Sequence, residues 1–152
     1  MTVRRAEVLG ELESEVGVML RRIRRVIADR ARAVHVDLAP SSYLMLTYVA
    51  ENGPMRASEI AEQFDIDKGA ISRQVALLER VGLVAREPDP HDGRAQRLVV
   101  TDEGRKRIED ARNGRRRLLR EQLDQWPAEE VATLARLLGR YNQQMNAALG
   151  KE

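Results

Sequence analysis

The longest regular pattern of apolar residues in the chain lies near its N-terminus. From about Glu7 to Val34, apolar side chains recur at steps of three and four residues, at Leu9, Leu12, Val16, Leu20, Ile23 and Ile27. This spacing places them on one side of a single long α-helix. Because the stripe is longer than a small globule can cover, a further surface is expected to bury it.

A second helix is expected after a break at Pro40. Ser41 and Ser42 offer side-chain oxygens for its N-cap, and the helix is predicted over about residues 43–51. The sequence Asn52-Gly53-Pro54 closes it, since glycine and proline next to each other interrupt regular structure.

Two short helices joined by a tight turn come next. The first is predicted over about residues 57–64, and Asp67 is the expected N-cap of the second. Ile66 and Ile71 occupy the two positions of a hydrophobic staple, which fixes the angle of entry, and Gly82 is the expected residue after the helix. The outward face of this second helix carries Lys68, Gly69, Ser72, Arg73, Ala76 and Arg80.

A β-hairpin and two helices complete the pattern. The strands are predicted at about residues 83–87 and 96–100, around a polar loop, and Thr101 is expected to cap a helix that continues to about Gln125. Trp126-Pro127 breaks this helix. The last helix is expected to carry Val131, Leu134, Leu137, Leu138, Tyr141, Met145 and Leu149.

Composition supports a mainly α-helical fold with one hairpin. The chain has 152 residues, of which 33% are charged and only 3% aromatic, and this balance suits amphipathic helices better than a β-sandwich. There is no cysteine, so disulfide bonds and thiolate metal sites are excluded. No apolar stretch approaches the ~18 residues of a membrane span, and we expect a cytoplasmic protein without membrane contact.

The order helix, turn, helix, hairpin, helix is typical of a winged helix-turn-helix DNA-binding domain. Specific residues extend the similarity: Glu59-Ile60-Ala61, Leu78-Glu79, Gly82-Leu83-Val84, Asp89-Pro90, Asp92, Arg94-Ala95, Leu98, Thr101 and Gly104. With these residues the chain resembles the MarR family of transcription regulators. The resemblance implies one domain over residues 1–152, with a DNA-binding lobe at 41–104 and a helical dimerisation region at 5–36 and 105–149.

In such a domain the second helix of the motif lies in the major groove, with its N-terminal side chains on the edges of bases. Lys68, Ser72 and Arg73 are therefore candidate DNA contacts, and Gln74 is either a contact or a residue that packs under the helix. Gly69 costs a helix ~1 kcal/mol relative to alanine. It either lets the backbone approach DNA closely or is a tolerated surface glycine.

At the wing, the resemblance implies that Arg94 reaches the minor groove or its phosphates, while Asp92 holds the loop or that arginine in place. The alternative is a simple surface pair between the two side chains. Arg97 and Arg86 are expected to contact phosphate or to form pairs that hold the fold. Arg56 stands where the family usually has a Ser or Thr cap, and an additional phosphate contact is one interpretation.

Net charge does not by itself predict a DNA-binding surface. Residues 41–101 contain seven basic and nine acidic side chains, a net charge of −2, although the whole chain is at +2. A DNA-binding face therefore requires local segregation, with Lys68, Arg73, Arg94 and Arg97 on one side and the acids elsewhere.

The partners expected are a second copy of the chain, double-stranded DNA with an inverted repeat, and a small aromatic or phenolic effector, the last implied by resemblance alone. Arg32, His35 and Tyr43 are candidate effector contacts. No cofactor is expected. His35 and His91 are the only histidines, too separated for a credible metal site, and no catalytic constellation is present, so an enzyme is not expected.

Two other functions remain open at this point. The chain could be an architectural protein that binds DNA with little preference for sequence, or a helical adaptor whose wing no longer touches DNA. The net charge of −2 in residues 41–101 favours the adaptor.

Overall fold

The computed structural model of the chain describes residues 3–148. In chain order its elements are α1 (Val3–Val34), α2 (Pro40–Asn52), β1 (Met55–Arg56), α3 (Ala57–Phe64), α4 (Lys68–Arg80), β2 (Val84–Asp89), β3 (Asp92–Val100), α5 (Asp102–Leu123) and α6 (Ala128–Ala148). They fall into two compact units, Met1–Arg112 and Asn113–Glu152, and α5 passes from one to the other. The mainly α-helical class with a β-hairpin wing is confirmed.

The first unit contains the hydrophobic core. The end of α1, the inner faces of α2, α3 and α4, and both long strands supply it, with the start of α5 beside them. Its buried members are Ala31, Val34, Leu38, Tyr43, Met45, Leu46, Val49, Ile60, Ile71, Val75, Leu78, Leu83, Val84, Leu98, Val100 and Ile108. The earlier part of α1 stays open, because Leu9, Leu12 and Leu20 are about half exposed.

The wing is part of a three-stranded antiparallel sheet with the order β1-β3-β2. The hairpin is longer than predicted and turns at Pro90 and His91, since β2 reaches Asp89 and β3 begins at Asp92. Strand β1 was not predicted. It pairs Met55 with Leu98 and Arg56 with Arg97, so β3 has two neighbours only near these positions.

The start of α2 differs from the prediction. The N-cap is Ala39, which makes no side-chain cap hydrogen bond, and Pro40 is the first helical residue. Proline suits this position because its fixed φ is already helical and the missing N–H has no partner there. Ser42 is buried inside the helix. The expectation that Pro40 ends the preceding segment and that Ser41 or Ser42 caps α2 is therefore wrong.

The first turn of α5 packs against the residues that follow α4. Thr101 caps α5, because its Oγ1 accepts the Gly104 N–H at 3.0 Å, and the same hydroxyl donates to the Gly82 carbonyl at 2.7 Å. At Gly104, a Cβ atom would lie 2.4 Å from the Leu83 carbonyl oxygen. Only glycine allows α5 to approach the chain this closely.

In the second unit, α6 presents an apolar stripe to its exterior. The helix begins after Pro127, whose carbonyl accepts the N–H groups of Glu130 and Val131. Its exposed apolar side chains are Leu134, Leu137, Leu138, Tyr141 and Met145. Leu149, the last predicted member of this stripe, lies outside the described residues.

Asp65, which ends α3, has a left-handed backbone conformation with φ 51°. In that conformation its N–H reaches Glu62 and the Ile66 N–H reaches the Ala61 carbonyl, which closes the helix.

Asp65→Gly is expected to raise the free energy of unfolding by roughly 0.5–1 kcal/mol. A left-handed residue with a Cβ costs roughly 1–2 kcal/mol, and the entropy that glycine adds to the unfolded chain offsets part of the gain. Urea denaturation followed by circular dichroism measures the difference. A loss of stability would show that the Asp65 side chain stabilises the turn by more than its backbone costs.

Candidate nucleic-acid interface

Helix α4 has defined ends. The Asp67 carboxylate accepts the Ala70 N–H at 2.8 Å, as expected for an N-cap. The pKa of Asp67 is lowered, chiefly by this hydrogen bond, and the nearby Arg73 guanidinium lowers it further. At the other end Gly82, with φ 73°, lets the Leu83 N–H return to the Leu78 carbonyl at 2.9 Å.

The two faces of α4 differ in burial. Ile71, Val75 and Leu78 are buried in the core. On the opposite face, four candidate contacts are all exposed: Lys68, Gly69, Ser72 and Arg73. Gln74 is half-buried at the boundary between the two faces. The sequence thus placed these side chains on the intended face, and their contact with DNA stays a prediction.

Glycine at position 69 also avoids a close contact within the first turn of α4. A Cβ atom at this position would lie 3.0 Å from the Asp67 Oδ1 and 3.5 Å from the Arg73 Nη1. The glycine therefore leaves space above the first turn for the capping carboxylate and for the arginine side chain.

Beside this turn, α3 and α4 border a shallow groove of about 530 Å³. Its apolar lining includes Ala61, Ile66 and Ile71. Its rim carries three carboxylates next to Lys68 and Ser72, namely Glu62, Asp65 and Asp67. The N-terminal end of α4 therefore combines one lysine with three acids.

The tip of the wing is held by two aspartates. Asp89 Oδ1 accepts the His91 N–H at 2.8 Å, and Asp92 Oδ1 accepts the Arg94 N–H at 3.1 Å. Both are turns in which a side chain replaces a backbone acceptor. Asp92 thus contacts the loop backbone. Within the described residues the Arg94 guanidinium has no hydrogen bond or ion pair, so the simple surface pair with Asp92 is absent.

The Arg56 side chain pairs with two carboxylates. Its Nε donates to Asp89 Oδ2 at 2.7 Å, and its Nη2 lies 3.7 Å from Asp92 Oδ2. These neighbours raise the pKa of Arg56, with the Asp89 hydrogen bond as the largest cause. Its main-chain N–H donates to Glu59 Oε2 at 2.6 Å. In the isolated chain the guanidinium is thus engaged inside the lobe, which departs from the phosphate contact considered from sequence.

The two arginines on the long strands form pairs. Arg97 donates to Glu87 across the hairpin at 2.8 Å, and Arg86 donates to Glu79 of α4 through two bonds of 2.8 and 3.3 Å. Of the two interpretations given for these arginines, the contacts favour pairs that hold the fold.

These pairs show which cations of the segment remain unpaired, although they leave its net charge of −2 unchanged. Residues 41–101 are all described, and three of their seven cations, Arg56, Arg86 and Arg97, pair with acids of the same segment. The four cations without an ion pair all lie on α4 or at the wing: Lys68, Arg73, Arg80 and Arg94. The unpaired cations are thus confined to α4 and the wing, while the carboxylates Glu62, Asp65 and Asp67 lie beside Lys68 at the start of α4.

The three candidate effector contacts lie in different environments. Tyr43 is 3% exposed and belongs to the hydrophobic core. Arg32 is exposed and pairs with Asp29 at 3.0 Å, while His35 Nδ1 accepts the Asp37 N–H at 3.1 Å in the turn after α1. The histidine is thus an acceptor in this structure, and effector binding by the three residues stays a prediction.

Two other features are absent from residues 3–148. No group of three or more His, Asp or Glu side chains there is arranged to hold a metal ion. None of the helices in the same residues has the length and apolar character needed to span a bilayer.

The Asp89 carboxyl is expected to make the stability of the lobe depend on pH. Its pKa is lowered by the Arg56 hydrogen bond and then by the His91 N–H. Because the folded pKa is lower than the unfolded one, the stabilisation is complete above the ordinary pKa of about 3.9 and is lost as the pH falls through the folded pKa. From about pH 5 to pH 2, Asp89→Asn should therefore lose less stability than the wild type in urea titrations. Parallel curves would contradict this.

Comparison with known proteins assigns the fold to a family. The model of the MarR family matches residues 36–95, which run from the turn after α1 into the wing. An HTH-type transcriptional regulator of Bacillus subtilis, YxaD, is 34% identical over 131 residues, covering 86% of this chain and 90% of YxaD. The similarity therefore extends well beyond the residues that the family model matches.

Solved structures show the same architecture. A MarR family protein from Bacillus stearothermophilus superposes with a TM-score of 0.75 at 25% identity, covering 96% of this chain and 99% of that one. FabT of Streptococcus pneumoniae, solved in complex with DNA, gives a TM-score of 0.75 at 15% identity and covers 92% and 99%. The chain belongs to the MarR family of winged helix-turn-helix transcription regulators, which are DNA-binding proteins and not enzymes.

Proposed function

We propose that the protein is a homodimeric repressor that binds an inverted-repeat operator through α4 and the wing. The observation that carries the proposal is the placement of unpaired cations. The four basic side chains of residues 41–101 without an ion pair, Lys68, Arg73, Arg80 and Arg94, all lie on these two elements. The complex of FabT with DNA supports the use of this fold for DNA binding.

Each element has its own part in recognition. The exposed N-terminal half of α4 enters the major groove, where Ser72 and Arg73 meet base edges while Lys68 and Arg80 approach phosphates. Gln74 contacts a base only by extending from its half-buried position. At the wing, Arg94 enters the minor groove, where a narrow A·T-rich segment attracts arginine most strongly.

The dimer follows from the apolar surface that one copy leaves open. The stripe of α1 exposes Leu9, Leu12 and Leu20, and the stripe of α6 exposes Leu134, Leu137 and Tyr141. A second copy would bury both, with residues 5–36 and 105–149 as the dimerisation region. Two-fold symmetry then sets the α4 helices ~34–36 Å apart and requires half-sites ~10 base pairs apart. Light scattering should give twice the chain mass of 17.2 kDa.

Repression and release complete the proposal. A dimer on an operator occupies DNA that a polymerase needs, and an aromatic or phenolic ligand that favours a different spacing of the two lobes weakens binding by its differential affinity. Arg32, His35 and Tyr43 are the side chains proposed to meet it. This part depends on the family resemblance. Action on a chromosomal operator places the protein in the cytoplasm.

In vitro selection from random DNA tests the proposal. Purified protein should enrich an inverted repeat with half-sites ~10 base pairs apart, and a variant with both Arg73→Ala and Arg94→Ala should enrich no motif under the same conditions. Binding with a steep salt dependence but no motif would identify an architectural protein. Complete absence of binding would identify the adaptor.

A further inference from the structure

Arg56 lies where the helix-turn-helix joins the wing. Its main chain is the N-cap of α3 and also part of β1, which pairs it with Arg97 of β3. Its N–H donates to Glu59 Oε2 at 2.6 Å. The backbone of Arg56 is therefore fixed to the helical motif and to the base of the sheet.

The side chain of Arg56 extends this attachment to the wing tip. Its Nε contacts Asp89 Oδ2 at 2.7 Å, and the Asp89 side chain is only 6% exposed. Its Nη2 lies 3.7 Å from Asp92 Oδ2, and the other oxygen of Asp92 accepts the Arg94 N–H at 3.1 Å. A continuous set of contacts thus connects the start of α3 with the backbone of Arg94.

The wing needs such an attachment because its outer part has no third strand. Strand β1 reaches β3 only at Arg97 and Leu98, and within residues 92–96 strand β2 pairs only with Asp92 and Gln96, because the register shifts between Pro88 and Asp89. A two-stranded hairpin is marginally stable by itself. The position of Arg94 relative to α4 then depends on side-chain contacts at the tip.

The charges around Arg56 disfavour a direct contact with DNA. Arg56, Asp89 and Asp92 together carry a net charge of −1, and the Nε of Arg56 is used by a nearly buried carboxylate. A phosphate approaching this cluster meets two anions for one cation.

From these contacts we infer that Arg56 is a positioning residue, which holds the wing arginine Arg94 in register with the recognition helix without touching DNA itself. The inference rests on the proposed function of Arg94. Arg56 thus acts in DNA recognition through its contact with Asp89, a residue 33 positions later in the sequence that the fold brings next to it.

A double-mutant cycle with the selected operator tests this inference. Arg56→Met should weaken operator binding by about tenfold or more, a change of ~1.4 kcal/mol, in the presence of Arg94. In the Arg94→Ala background the same substitution should change the affinity less than about twofold, since coupled residues are not additive. Arg56→Lys keeps the charge and should not restore binding, because a single ammonium nitrogen does not reproduce the separate Nε and Nη2 contacts with Asp89 and Asp92. Arg86→Met removes another ion pair of the lobe. It should change the operator affinity by the same factor whether residue 94 is arginine or alanine.

Amide hydrogen exchange of the protein without DNA tests the same inference independently of DNA binding. In Arg56→Met the His91 and Arg94 amides should exchange ~10-fold faster while the core amides of α4 keep wild-type rates, which also excludes general unfolding. Unchanged exchange at the wing tip overturns the inference, and so do equal losses of affinity in both Arg94 backgrounds, which would give Arg56 its own DNA contact. Faster exchange in a protein that binds no DNA supports the positioning and refutes the proposed function.

Discussion

Gly104→Ala is expected to lower the free energy of unfolding by about 3 kcal/mol. The new Cβ would lie 2.4 Å from the Leu83 carbonyl oxygen and 2.8 Å from the Val100 Cγ1. The carbonyl belongs to the backbone and already accepts the Thr101 N–H at 3.1 Å, so it cannot turn away without breaking that bond. Either α5 or the strand must shift. The ~1 kcal/mol that alanine gains over glycine in a helix does not compensate.

Gly114→Ala is the matched control for this prediction. Gly114 also lies within α5, but a Cβ atom there has nothing within 4 Å. Its replacement should raise stability by up to ~1 kcal/mol, because only the helix propensity changes. Urea denaturation followed by circular dichroism compares both variants with the wild type. Two variants of equal stability would refute the close approach at Leu83.

Arg73→Ala is expected to have the largest effect on operator choice. One arginine contact with a base contributes ~1–3 kcal/mol, and a symmetric dimer makes it twice, so the complex should lose about 2–6 kcal/mol. The lower end corresponds to roughly 30-fold in affinity. Loss of a base contact should also remove the preference at one base pair in each half-site.

Fluorescence anisotropy with the operator and its single-base variants measures both effects. Arg80→Ala is the matched control, because Arg80 is also unpaired and exposed on α4 but lies in its last turn, away from the end that meets base edges. It should weaken binding equally for all sequences. If Arg73→Ala keeps the wild-type order of preference among the base variants, the assignment of Arg73 to base readout is wrong.

Local rules predicted the recognition helix well. The N-cap Asp67 and the left-handed Gly82 each act through backbone groups a few residues away, so their effect is visible in a short stretch of sequence. The start of α2 shows how one such rule can displace another. Two serines suggested a cap, whereas Pro40 at the first helical position was the better signal and Ser42 is buried within the helix.

Contacts between distant segments could not be predicted in this way. Strand β1 has two residues, too few for a periodic pattern, and exists because β3 offers it partners more than 40 residues later. The Arg56–Asp89 pair likewise depends on the sheet. Net charge has the same weakness, since it does not show that Arg86 and Arg97 pair with Glu79 and Glu87 while other cations on α4 and the wing stay unpaired.

The three carboxylates at the entrance of α4, Glu62, Asp65 and Asp67, have a consequence for how the protein searches DNA. In the proposed complex they stand close to phosphates, and their repulsion lowers the affinity for every sequence by the same amount. Because the loss is the same for every sequence, base contacts alone set the ratio of operator affinity to random affinity. The repulsion instead shortens each stay on random DNA, so the dimer should release non-operator sequence faster.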